Sequence, residues 1–117
     1  MAIKRIDVGP RMSQAVICNN MVHLAGIVAQ SNKGKSVREQ TTEILATIDK
    51  YLQQAGTDKT KLISTNIWLS DIKSFSEMNE VWDKWVSPGN TPARATVEAK
   101  LANPALKVEI MVQAALG

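Results

Sequence analysis

Two stretches near the end of the chain, ARATVEAKL and KVEIMVQAAL, alternate apolar residues with other side chains, and this period of two is the tightest constraint in the sequence. In the first, Ala95, Val97, Ala99 and Leu101 point to one side and Arg94, Thr96, Glu98 and Lys100 to the other. In the second, Val108, Ile110 and Val112 oppose Lys107, Glu109, Met111 and Gln113. A sheet with one apolar face needs a cover for that face. Two segments of helical period supply it. In SVREQTTEILATIDKYLQQAG, Val37, Thr41, Ile44, Ile48, Leu52 and Ala55 recur at three- and four-residue steps. Ser36 with Glu39 makes a capping box, and Gly56 stands where a left-handed terminator is wanted. In SFSEMNEVWDKWV, Phe75, Met78, Trp82 and Trp85 form one stripe, Ser74 and Glu77 repeat the box, and SPGN ends the helix.

The remaining elements are strands. AVICNNMVHLAGIVAQ predicts a hairpin about Asn19-Asn20, with a short strand before it in IKRIDV. KLISTNIWLSD predicts a strand with Ile63, Thr65, Ile67 and Leu69 opposite Leu62, Ser64, Asn66 and Trp68. The order of strands, helix, strand, helix and two strands predicts an α+β fold with both helices on one face of the sheet. With 117 residues, 44% of them hydrophobic, the chain is expected to form a single domain over 1–117. The uncovered face would then carry Arg94 and Glu109 among polar side chains and Met111. Such a surface suits burial against copies of the same chain, with pockets between subunits. A hairpin about ANPAL would pair residue 109 near residue 99, leaving Arg94 about 17 Å away along the strand. Joint work by Arg94 and Glu109 therefore calls for another strand order or a neighbouring subunit.

Arg94 is the foremost candidate, because a guanidinium offers two parallel donors that match a carboxylate. Its ordinary alternative is a solvated or ion-paired surface arginine. Glu109 could orient or deprotonate a water, or simply pair with a nearby base. Asn79 reads as a helix-surface amide or as a group at the rim of a site. The only cysteine, Cys18, and the only histidine, His23, read as structural, which leaves no disulfide, no triad and no Cys/His metal site. The tryptophans read as core. The net charge of +3 is spread along the chain, so it does not argue for nucleic acid or membrane binding. MAIKRIDVGP lacks a signal-peptide layout and no apolar run spans a bilayer, so a cytoplasmic protein is expected.

TPARATVEAKLANPALKVEIMVQAAL resembles the Rid (YjgF) family, also labelled L-PSP endoribonuclease or translation inhibitor, on its proline-alanine-arginine step and later valine-glutamate-isoleucine strand. The likeness extends to AGIVAQ and STNIWLSDIKSFSEMNEVWDKWV, and the Trp82 to Trp85 ending resembles the YoaB branch. The resemblance implies a chorismate-mutase-like homotrimer with ligand sites in the clefts between subunits. It implies hydrolysis of enamine/imine intermediates such as 2-aminoacrylate to a 2-keto acid and ammonia, without a cofactor. In that reading Arg94 binds the substrate carboxylate, Glu109 positions the water, and Gly26 shapes a pocket lined also by Met12, Ala25, Asn79 and Thr96. Met12 stands where archetypal deaminases have tyrosine, Ala25 where they have serine or threonine, and Thr96 where many have cysteine. These departures point to an altered substrate or to a trimer that binds small carboxylates without turnover. RNA cleavage or translation inhibition is the remaining family activity, and no basic stripe or aromatic platform supports it.

Overall fold

Asn19 and Asn20 both take positive φ, 52° and 61°, and close the tight turn expected of them. The computed structural model describes residues 2–117, and in it this turn joins β2 (Ser13–Cys18) to β3 (Met21–Leu24). β1 (Lys4–Val8) pairs antiparallel with β2. A short β4 (Ile27–Val28), absent from the expected order, pairs with β7 (Val108–Ala115). The helices are α1 (Val37–Ala55) and α2 (Phe75–Trp85), with β5 (Leu62–Leu69) between them and β6 (Ala93–Glu98) after the second. The strands form one seven-stranded mixed sheet of order β1-β2-β3-β7-β5-β6.

Helix α1 begins and ends as its sequence dictates. The Ser36 hydroxyl accepts the Glu39 N–H at 3.1 Å, and Gly56 at φ 88° returns its N–H to the last turn. Val37, Thr41, Ile44, Ile48 and Leu52 are buried, joined by Gln40, Leu45 and Tyr51. They pack on Ala15, Val22, Leu24, Ile110, Val112 and Ala114 of the sheet. Each fully buried aliphatic side chain here contributes about 1.5–3 kcal/mol. Helix α2 begins differently from the expectation. Ser74 makes no side-chain cap and donates to the Asp71 carbonyl, while the Glu77 carboxylate accepts the Arg38 N–H of α1 at 2.9 Å. Glu77 thereby joins the two helices rather than closing a box.

The strand order is not that of a simple hairpin about ANPAL, and two further expectations, on the end of β6 and the alternation of β5, are corrected. The last two strands do not form a hairpin, because β5 lies between them, parallel to β6 and antiparallel to β7. The connection 99–107 runs outside the sheet, and β6 ends at Glu98, before Lys100 and Leu101. Buried Gln40 pins this connection, donating to the Lys35 and Ala105 carbonyls and accepting the Lys107 N–H at 2.9 Å. The alternation of β5 is interrupted by a register shift between Leu62 and Ser64. Leu62 is therefore buried with Thr65, Ile67 and Leu69, Ile63 is exposed, and Trp68 lies half-buried on the face away from the helices instead of in the core.

Candidate active site

The strand registers decide where Arg94 points. Arg94 is level with Thr65, which is level with Val112, and both of these are buried beneath the helices. Arg94 and Thr96 thus face the helix layer, not the uncovered face on which the sequence had placed them. Alternation misled because β6 is an edge strand lying beside α2, where polar side chains find partners that a central strand would not offer. The guanidinium donates to the Asn79 amide oxygen at 2.8 Å. Its Cζ lies 5.4 Å from the centroid of buried Trp82 and 5.8 Å from that of exposed Phe75. Among the described residues it has no acidic partner, and the Arg38–Glu80 pair is the only ion pair. Arg94 is neither of the ordinary arginines that its sequence allowed. It is a half-buried cation, held in place and left without a counter-charge.

Asn79 is therefore a partner of Arg94 and not a solvated amide on the helix surface. Phe75, Asn79 and Trp82 fall at i, i+4 and i+7, one face of α2, where the sequence reads Phe75 and Trp82 as core and Asn79 as helix surface or the rim of a site. Thr96 lies two residues beyond Arg94 on the same face, and its hydroxyl is buried with no hydrogen-bond partner among the described residues. A shallow cleft of about 270 Å³ opens at Arg94 between Ser64, Thr65, Asn66, Ala93 and Ala95.

Glu109 occupies the opposite face. It is level with Trp68 and, through it, with Val97, whose side chain is 49% exposed. The carboxylate lies against Gly26, where a Cβ would stand 2.1 Å from Oε2. Burial raises its carboxyl above the ordinary value, with no hydrogen bond or ion pair among the described residues to oppose that effect. Gly26 and Met12 line one cleft of about 350 Å³ with Gln14, Ile27, Val28, Gln30, Thr47 and Tyr51. Ala25 adjoins it, its N–H donating to the Gln14 carbonyl. Tyr51 is anchored there by donating to the Asp7 carboxylate at 2.8 Å, a contact with no signal in the sequence.

The chain thus gathers Arg94, Asn79 and Thr96 at the open edge of the sheet under α2, sets Glu109 against Gly26 on the other face, and places Met12 with Gly26 in a cleft walled by Thr47 and Tyr51 of α1. Two strand spacings and three residues put the Cα atoms of Arg94 and Glu109 about 14 Å apart, with side chains diverging. His23 is exposed and Cys18 half-buried on the uncovered face, and no group of metal-binding side chains forms among the described residues.

The same fold recurs in known proteins. The crystal structure of a member of the YjgF protein family from Neisseria meningitidis superposes with a TM-score of 0.95 at 43% identity, covering 98% of this chain and 95% of that one. The RutC family protein YoaB of Escherichia coli is 41% identical over 116 residues, 99% of this chain and 100% of the relative. Reactive Intermediate Deaminase A, chloroplastic, of Arabidopsis thaliana is 32% identical over 103 residues, 84% of this chain and 54% of the relative. The Endoribonuclease L-PSP family model matches residues 2–116, and with these relatives it shows that the chain belongs to the L-PSP, or YjgF/RutC, family, close to YoaB.

Proposed function

We propose that the protein is a cytosolic hydrolytic deaminase of small 2-imino acids and their enamine tautomers, working as a homotrimer whose sites lie between subunits. The observation that carries this reading is the pair of half-buried, uncompensated charges, Arg94 and Glu109, on opposite faces of one chain. Neither can reach a small substrate held by the other in the same chain. A neighbouring copy that brings its Glu109 face against the Arg94 edge completes the site. The name of the plant relative supports the reaction class.

Arg94 takes the substrate carboxylate in a two-pronged contact, placing the imine carbon toward Glu109 of the neighbour. Glu109 holds a water and receives its proton as the oxygen bonds to the imine carbon. That proton passes to nitrogen to give a carbinolamine, whose hydroxyl proton follows to nitrogen by way of the Glu109 carboxylate as the carbon–nitrogen bond breaks, and a 2-keto acid and ammonia leave. An imine is already electrophilic, so orientation and a placed water suffice and the reaction calls for no cofactor.

The test generates 2-aminoacrylate and 2-iminobutyrate in situ and follows semicarbazide trapping. Wild type should suppress trapping. Arg94→Ala should raise KM at least about a hundredfold, and Glu109→Gln should lower kcat by about 10²–10⁴-fold. If wild type leaves trapping unchanged for every imine tried, the deaminase reading fails. Carboxylate binding without turnover would then be the reading to pursue, and RNA binding would be recognised by its steep loss with added salt.

A further inference from the structure

Arg94 is held without being neutralised. Trp82 and Phe75 present ring faces to the guanidinium and Asn79 accepts one N–H, and none of the three carries a formal charge. Of the four acids on α2 and β6, Asp83 is exposed to solvent and the other three are engaged elsewhere. Glu77 accepts the Arg38 backbone N–H, Glu80 pairs with the Arg38 guanidinium, and Glu98, on the face of β6 shared with Arg94, accepts the N–H of Ile72.

We propose that Asn79 and Trp82 are positioning residues that fix the plane of Arg94 while reserving its positive charge for the substrate, so that an acid at position 79 would keep the geometry and abolish the receptor. This rests on Arg94 being the carboxylate anchor. A neutral amide orients a guanidinium through one hydrogen bond. A carboxylate in its place forms a charge-assisted pair that an incoming anion must displace against like charge. An aromatic face attracts the cation without cancelling it, and Trp82, only 5% exposed, is held by the core and cannot swing away. Asn79→Asp changes charge with almost no change in shape.

The experiment titrates 2-oxobutyrate, a stable keto acid, by calorimetry and follows imine turnover in parallel for wild type, Asn79→Asp, Trp82→Phe and Trp82→Leu. Asn79→Asp should melt at or above the wild-type temperature, bind the keto acid at least about tenfold more weakly and raise KM alike, with kcat within about threefold. Trp82→Phe, which keeps a ring face, should stay near wild type, and Trp82→Leu should lose about three- to thirtyfold in affinity. Wild-type affinity in Asn79→Asp, or equal losses in the two Trp82 variants, would overturn the proposal. If Trp82→Leu does not fold, Asn79→Asp decides alone. Keto-acid binding by wild type without imine turnover would sink the deaminase reading and leave the neutral seat standing. No keto-acid binding by wild type would sink the seat itself.

Discussion

Gly26 and Glu109 are coupled by space rather than by a bond. A Cβ on Gly26 would lie 2.1 Å from Glu109 Oε2 and 3.0 Å from Cδ, so any side chain there must push the carboxylate aside. The obstructing atoms are the end of a flexible side chain, so Gly26→Ala should cost no more than about 1 kcal/mol of stability. A displaced carboxylate should nevertheless lower turnover about a hundredfold, and comparing thermal melts with imine kinetics checks the split. A variant that unfolds, or one that turns over normally, would remove Gly26 from the site. The sign of the Glu109 effect also follows from its burial. Its folded pKa lies above the unfolded value, so its stabilising contribution is present below the unfolded pKa and is lost as pH rises through the folded one. Glu109→Gln should accordingly melt no lower than wild type at neutral pH.

At the scale of elements, the segment between β4 and α1 is fastened by one carboxylate. Glu43 on α1 accepts the backbone N–H groups of Gln30, Ser31 and Asn32, at 2.6, 3.2 and 2.9 Å, and the Asn32 amide at 3.0 Å. Burial pushes its carboxyl upward, but the four hydrogen bonds outweigh this and hold it below the ordinary value. A depressed folded pKa contributes stability above the unfolded pKa that disappears as pH falls through the folded one. Glu43→Gln should therefore cost about 1–2 kcal/mol at neutral pH, and the gap to wild type should close as the solution is acidified. Denaturant titrations at several pH values measure it, and a constant gap would show that the charge plays no part. Gln30 also lines the cleft beside Gly26, so this fastening steadies one wall of the cleft that Gly26 and Met12 share.

For the whole molecule, both helices cover one face of the sheet and leave the other with Val16, Met21, Trp68 and Met111 half-buried and Val97 exposed. A face of this kind, carrying the unpaired Glu109, is the surface on which the proposed assembly depends. Light scattering should give three times the 12.8 kDa chain mass. Met111→Lys should release folded single chains without turnover. Mixing Arg94→Ala with Glu109→Gln chains should restore activity at about a quarter of the sites, those pairing an intact Arg94 with an intact Glu109 from the next subunit. Mixtures that stay inactive would exclude a shared site. The sequence by itself determined what depends on local chemistry. Ser36 and Gly56 bound α1, Asn19 and Asn20 turn the hairpin, and alternation names the strands, because caps, turns and period are properties of a few neighbouring residues. Only the tertiary structure decided what depends on register. The insertion of β5 between β6 and β7, the shift at Leu62 and Ser64, and the turning of Arg94 toward Asn79 and Trp82 follow from which strands lie side by side. Alternation separates two faces and cannot say which one the helices cover. That choice is made by the path of the chain from β5 through α2 to β6, and it leaves Arg94 and Glu109 on opposite sides of a single sheet.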